Sequence, residues 1–543
     1  MSESAQATRI GAREIALPAA LAWRWLPLGV TVAMAVATGF LLRQLHAWPP
    51  HEDETLALFI GRHPLEELFQ LVLEDRGGAP LHFLFAWAVA HLGLGLGGLR
   101  AVSVVFAVGS LPLVALLGMR LAGRKEALVA TVLASAGWML LFHGVYGRMY
   151  SLFLFTSALS YLAFLRCLDR GNGRDWTLWV AAILATVATH PYGALVLATQ
   201  GAYLLLWRRD RLRSALVPFG TVALLGTPFW FSTLVLAGRF DVGVGGGGGG
   251  GKLGSPLTVL EYLWHVAGAF TAAWWPITLA VLVLAGLGVR RLPRSTIVLA
   301  TCVVAVPTLA FLAARLGNSA SPETRHLIFA LPFFAIALAA GILRLGRVAP
   351  IALGALLVAQ VAWAWERTPA LFEGEPPVRG IARFEASSYL ARTSRPDDVL
   401  FGYEPLYLGA WEKNAAFPLD VLPRADAKLA LGALLELDRP LGRGLWIFDA
   451  SANNNISPRL HIRFRQPNPS AAFEVRRFGP FLVIRTVEPV ETPSRYLERA
   501  GQAMLVGKAL WIGDADINLV TVERAARRLR GYGAARSLST SSR

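Results

Sequence analysis

The chain has 543 residues, of which 55% are hydrophobic and 16% charged, well under the about 25% charged usual in a soluble globular protein. Its formal net charge is +16, but the arginines fall in short segments between apolar runs, as orientation signals do, so nucleic-acid binding is not implied. The 2 cysteines, Cys167 and Cys302, lie in apolar segments, which argues against a disulfide framework or a cysteine metal site.

Residues 1–20 are mixed and polar, and the first apolar run, Trp25 to Leu45, is long enough to span and has no small-residue cleavage pattern. It reads as a first transmembrane helix, not a cleaved signal. Further candidate spans lie near 79–96, 99–118, 127–143, 150–167, 177–190, 191–207, 214–236, 272–289, 296–315, 325–343 and 348–365. A crossing helix needs about 20 residues, so several of these are short. The expectation is a polytopic α-helical membrane protein of 11–13 spans.

Basic clusters recur at Arg120, Arg124 and Lys125, at Arg166, Arg170 and Arg174, at Arg208, Arg209, Arg211 and Arg213, at Arg290, Arg291 and Arg294, and at Arg344 and Arg347. By the positive-inside rule these loops face the cytoplasm. The loops around 143–150, 190, 237–271 and 316–326 then lie outside, and the chain after 365 follows them. One conflict stands: two crossings between 79 and 118 would put Arg120 to Lys125 outside. Either an early segment does not fully cross or a boundary is misplaced.

The loop 46–78 is acidic, with Glu52, Asp53, Glu54, Glu66, Glu67, Glu74 and Asp75. From Glu54 to Leu73 its apolar residues recur at helical spacing, which suits a segment along the membrane surface, and Pro64 divides it into two short helices. The loop 237–271 holds seven consecutive glycines, Gly245 to Gly251, and reads as a flexible low-complexity insertion, with a mobile lid over a substrate groove as the alternative. Beyond Trp365, Arg379–Ala391 reads as a helix, Asp398–Gly402 and Leu445–Asp449 as strands, and Phe473–Arg476 with Phe481–Arg485 as a hairpin. The expected layout is a cytoplasmic N-terminus over 1–24, a transmembrane module over 25–365, a soluble extracytoplasmic α/β domain over 366–528 and a disordered tail over 529–543.

Charges near a membrane are expensive and are functional candidates. Asp53 and Glu54, just past the first span, suit a base for an attacking hydroxyl, or oxygen ligands for a divalent cation such as Mg or Mn; ordinary loop acidity is the plain alternative. Arg148, in Tyr146-Gly-Arg-Met-Tyr150, can neutralise a phosphate or simply snorkel among interfacial tyrosines. In Glu323-Thr-Arg-His326, Arg325 stands on the outer side, where topology does not ask for an arginine; it suits a phosphate, with His326 as a second donor or a helix cap. His190 lies at the same level, and His51 and His82 are weaker candidates. The 10 histidines show no zinc spacing, and no P-loop or dinucleotide motif is present.

Taken in order, these motifs resemble those of the GT-C superfamily of membrane glycosyltransferases, in particular the branch of dolichyl-phosphate-mannose protein mannosyltransferases and the bacterial aminoarabinose transferase. Asp53-Glu54 is similar to that family's acidic pair after the first span, Gly78-Ala-Pro-Leu81 to its opening of the next, and Arg148-Met-Tyr150 to a later segment. Arg325-His326-Leu327 with Pro332 is similar to an Arg-Tyr-Leu motif, except that His326 stands where a tyrosine is usual. The resemblance covers roughly 25–365. It implies an inverting transfer of a sugar from a polyprenyl-phosphate donor to a hydroxyl of an envelope acceptor (lipid, glycan or protein), at the outer face of a bacterial cytoplasmic (inner) membrane. Asp53 would be the base, Glu54 would assist through the acceptor or a metal, and Arg325 with Arg148 would hold the phosphate. Tyr150, His190 and His326 would line the substrate. The rivals are a secondary transporter, a lipid-linked oligosaccharide polymerase or ligase, and a non-catalytic membrane scaffold.

Overall fold

A computed structural model describes residues 19–45, 51–240, 256–272, 274–316, 322–373, 377–402, 420–423, 427–449, 471–479 and 481–510. The Gly245–Gly251 run and the tail 529–543 lie outside the described residues.

The membrane part is helical: α1 Ala19–Gln44, α2 Glu52–Gly61, α3 Leu65–Gln70, α4 Leu81–His91, α5 Gly95–Leu121, α6 Arg124–Ala136, α7 Trp138–His143, α8 Tyr150–Arg170, α9 Gly173–Thr189, α10 Gly193–Trp207, α11 Leu212–Leu225, α12 Thr227–Phe240, α13 Leu257–Phe270, α14 Trp275–Val289, α15 Arg294–Leu316, α16 Leu331–Leu343 and α17 Ala349–Glu373. Among the described residues, 6 helices are long and apolar enough to cross, or 8 if each of two bent pairs, α11–α12 and α13–α14, is one span. That is fewer than the 11–13 expected from hydropathy. The reason is length. Apolar helices such as α4, at 11 residues, reach only about 16 Å, half of a hydrocarbon core. A short α4 also removes the conflict over Arg120–Lys125, because the 79–96 segment then does not cross.

α16 lies deepest, with almost every residue buried. Its contact with α14 is a backbone approach: a Cβ on Gly288 would fall 1.9 Å from the Ala337 carbonyl oxygen, and one on Gly341 would fall 1.9 Å from that of Leu284. Small residues allow this packing where lipid supplies no hydrophobic drive between helices. α1 and α17 instead expose Leu28, Val32 and Val36, and Ile351 and Val358, as lipid-facing helices do. Basic helix ends gather at one end of the bundle: Arg120 pairs with Asp169, Arg208 donates to Leu168 O at 2.8 Å, and Arg344 donates to Leu287 O at 2.8 Å. The positive-inside rule makes that end cytoplasmic.

The acidic loop does fold as two short helices divided at Pro64, which caps α3. A π-helical turn, Leu71–Arg76, follows. The segment is not laid bare on the surface, because Leu56, Leu58, Ile60, Leu68 and Val72 bury against Phe83, Ala86 and Leu99 of α4 and α5.

The C-terminal part is an α/β domain with a five-stranded mixed sheet of order β2-β1-β3-β5-β4. Its strands are β1 Val399–Gly402, β2 Asp420–Pro423, β3 Gly444–Asp449, β4 Phe473–Phe478 and β5 Phe481–Thr486. β1 runs parallel to β2 and β3, while β5 runs antiparallel to β3 and β4. Helix α18, Pro377–Thr393, buries Ala382, Ala386 and Leu390 on one face against Leu445, Ile447 and Val483. Helices α19, Ala427–Glu436, and α20, Pro493–Leu510, bury Leu434, Tyr496 and Ala503 on the other against Trp446 and Ile484. The hairpin and two of the strands fall where the sequence pattern predicts them. β2, four residues ending in proline, carries no such pattern. The domain sits on the outer loop, with α19 against the π turn and β2 against α2.

Candidate active site at the outer membrane face

α2 begins with a cap built from its own sequence. His51 Nδ1 accepts from Asp53 N at 3.2 Å, and the Glu54 carboxylate accepts from His51 N at 3.0 Å. This capping box fixes both carboxylates at the head of the helix, pointing differently. Glu54 is fully buried and accepts two hydrogen bonds from Arg100, from Nε at 2.9 Å and from the second guanidinium nitrogen at 2.7 Å. It also accepts from Gly147 N at 2.7 Å. A Cβ on residue 147 would lie 2.9 Å from that same carboxylate oxygen, so only glycine fits. With Arg100, His51 N and Gly147 N upon it, Glu54 has no free face for an acceptor or a cation.

Asp53 points the other way, and 27% of its side chain is exposed. The Tyr146 hydroxyl donates to its Oδ2 at 3.1 Å and lies 2.9 Å from His51 Nδ1. Arg148 donates to the Asp53 carbonyl oxygen at 3.2 Å, while its Nε stands 3.8 Å from Oδ2, too far for a hydrogen bond. Burial raises the Asp53 pKa, but Arg148, then His51, Arg325 and Arg76 outweigh it and hold the carboxyl well below the ordinary carboxylate range. Burial, with Asp53 next, pushes the Tyr146 hydroxyl well up, so it stays a donor.

The remaining predicted residues close the other side. The Arg325 guanidinium lies 5.8 Å from the Tyr150 ring centroid, and its Nε is 2.7 Å from Glu323 Oε2. His326 lies 4.9 Å from His190 and stacks on Tyr192 at 4.7 Å; Tyr150 is 6.1 Å from His326 and 6.0 Å from His190. Segments far apart in sequence thus bring Asp53, Arg148, Tyr150, His190, Arg325 and His326 together, with Glu54 one layer behind. His82 is buried in α4, within the electrostatic reach of Arg148 and Asp53.

Hydropathy reading missed several members. Arg100 sits inside an apolar run, and a charge there was the available signal. Arg76, whose cation acts on Asp53, looked like part of a mixed-charge loop. His143 is 2% exposed with neither ring nitrogen hydrogen-bonded among the described residues, and its ring lies 4.8 Å from Tyr150. Among the described residues, the expected Asp53–Glu54 pair gains no third His, Cys, Asp or Glu ligand atom. Among the described residues, the one group of three such side chains is His63, Glu67 and Glu436.

Of two cavities in the bundle, the smaller reaches the cluster through Glu323 and Thr324, beside Arg325. One, of about 540 Å³, is lined by Trp138, Tyr262, Trp264, Glu323, Thr324 and Trp363. The other, of about 860 Å³, is almost wholly apolar and runs between α13, α14, α15 and α16, from Trp264 past Phe270 and Phe334 to Val289. Trp264 lines both.

No protein-family model and no curated protein matches the chain. Two crystal structures of ArnT from Cupriavidus metallidurans are similar to it. The one bound to undecaprenyl phosphate has a TM-score of 0.55 at 14% identity, covering 85% of this chain and 98% of that one. The apo structure has a TM-score of 0.56 at 15% identity, covering 87% and 99%. At such identity the likeness is one of fold: the chain shares the overall fold of these ArnT structures.

Proposed function

We propose that the chain is an inverting glycosyltransferase that moves a sugar from a polyprenyl-phosphate donor to an acceptor hydroxyl at the outer face of a bacterial inner membrane. The carrying observation is one partly exposed carboxylate, Asp53, set among Arg148, Arg325 and Arg76, in a bundle that also holds a lipid-sized apolar groove. The undecaprenyl phosphate of the similar ArnT structure is the type of donor lipid this groove suits. The prenyl tail lies along α13–α16, and the phosphate meets Arg325 and Arg148.

Phosphate is already a good leaving group, so no general acid is needed; the charge released on it is what must be stabilised, and the buried Arg148 with the half-buried Arg325 do that. Asp53 orients the acceptor hydroxyl and takes its proton as the new C–O bond forms. In the free protein its low pKa makes it a weak base. A donor phosphate on the arginines cancels part of the field that depresses it, so donor binding makes Asp53 more basic when a base is required. Glu54 positions Asp53 by locking the α2 cap to Arg100 and Gly147, and does not touch substrate. Tyr150, His190 and His326 line the sugar side. The test is transfer from a panel of polyprenyl-phosphate sugars in purified membranes, with wild type against Asp53→Asn. Equal rates for the two, with a donor that wild type uses, would remove Asp53 from the chemistry.

A further inference from the structure

A second cluster lies on the outer loop, apart from Asp53. His63 and Glu67 stand either side of Pro64 in the turn that opens α3, and Glu436 ends α19 of the soluble domain. One ligand atom from each lies within 4.8 Å of the other two. His63 Nε2 is 3.9 Å from Glu67 Oε1. The other ring nitrogen, Nδ1, is 3.0 Å from Phe59 O and 3.2 Å from Ile60 O. A carbonyl only accepts, so Nδ1 carries the proton and Nε2 is left to the carboxylates. Metal-binding imidazoles are oriented in this way, by a backbone carbonyl on the far nitrogen. Two carboxylates from separate parts of the fold converge on the His63 ring, one from the outer loop and one from the soluble domain.

We propose that His63, Glu67 and Glu436 bind one zinc ion, which ties the soluble domain to the outer-loop segment that begins with Asp53. One imidazole with two carboxylates suits zinc, whereas magnesium and calcium take oxygen ligands. Ligands at about 2.0–2.1 Å around a tetrahedral ion stand about 3.4 Å apart, so the group needs a side-chain closure of about 1.4 Å. His63 and Glu67 are 18% and 36% exposed and have room for it. A water completes the coordination. The ion touches no reacting atom. Its effect is positional: α19 already packs on the π turn that ends in Arg76, and β2 packs on α2, so a tie at His63 holds the segment between Asp53 and Arg76 against the domain.

The test uses the full chain in detergent, stripped by chelator and titrated with zinc chloride, with bound zinc counted and thermal unfolding followed. Wild type and Asp53→Asn should each bind one zinc and unfold at a higher temperature with it. His63→Ala should lose the zinc. Glu436→Gln, an isosteric change at an exposed helix end, should bind at least about tenfold more weakly and lose the thermal shift, while unfolding like wild type when stripped. A wild type that retains no zinc at micromolar concentration overturns the proposal. So does undiminished zinc in both variants, which would place the ion elsewhere. No sugar donor enters the measurement, so its outcome is independent of the transferase reading.

Discussion

Arginine serves opposite ends of this bundle in different ways. At the cytoplasmic end Arg120, Arg208 and Arg344 close helix termini by donating to the carbonyl oxygens of Leu165, Leu168 and Leu287, and pair with exposed acids such as Asp169 and Asp210. At the outer end Arg100 is 2% exposed and committed to Glu54, while Arg148, also buried, stands off the Asp53 carboxylate at 3.8 Å. The first set answers to topology and solvent. In the second, the fully paired arginine fixes Glu54 at the head of α2, and the incompletely paired one is, on the function proposed above, the group that meets the donor phosphate. Burial and completeness of pairing, not charge count, separate these three roles.

The largest expected effect comes from breaking the completed pair. Arg100→Met leaves Glu54 charged and fully buried, at a cost of about 3–5 kcal/mol. Unfolding in detergent should show this, and the double variant with Glu54→Gln should recover much of it. A single variant as stable as wild type would show that the pair does not organise the site. Asp53→Asn should shift the balance: transfer should fall about 10²- to 10⁴-fold, as expected for loss of a positioned base, with a smaller loss of stability than Arg100→Met causes.

The same contrast explains what could be read from sequence. Asp53, Arg148, His190 and Arg325 were legible because each lies at the outer end of an apolar run, where topology asks for no charge. Glu54 was visible, but its separation in role from Asp53 was not, because neighbouring helical residues differ by about 100° in direction and only the fold shows which of them meets Arg100. The sheet of the soluble domain was half legible. β3 and β5 each carry four apolar residues in a row and β4 opens on an alternating Phe-Glu-Val-Arg, whereas β2 is fixed by pairing with β1, a long-range fact. Among the described residues 6 to 8 spans meet the length and hydropathy needed to cross, against 11–13 expected, because several apolar runs fold as helices shorter than about 20 residues.

Smaller effects sharpen the role of the incompletely paired arginines. Arg325→Gln should raise the donor KM by about 10- to 150-fold, the equivalent of about 1.5–3 kcal/mol for a hydrogen bond to a charged group, and Arg325→Lys should recover part of that. The Asp53 carboxyl is held below its ordinary range, so its charged form is favoured in the fold. Its contribution to stability is present above the unfolded pKa and fades as pH falls through the folded one. The acid limb of kcat/KM should accordingly lie below about pH 4. Removing the nearest cation, in Arg148→Gln, should move that limb upward. A limb that stays put would mean Arg148 does not set the Asp53 charge.

The smallest effect is expected at the cytoplasmic end, and it completes the comparison. Asp210 accepts from Arg208 at 3.0 and 3.1 Å and lies 3.5 Å from Arg211, a closer set of contacts than Arg148 makes with the Asp53 carboxylate. Distance alone would rank it the stronger site. Asp210 is exposed, however, so water and salt screen the pair, and each long side chain loses rotamer freedom to make it. Asp210→Asn should leave both transfer and the unfolding midpoint unchanged at physiological salt. A shift comparable to that of Arg148→Gln would mean that geometry, not burial, decides what an arginine does in this protein.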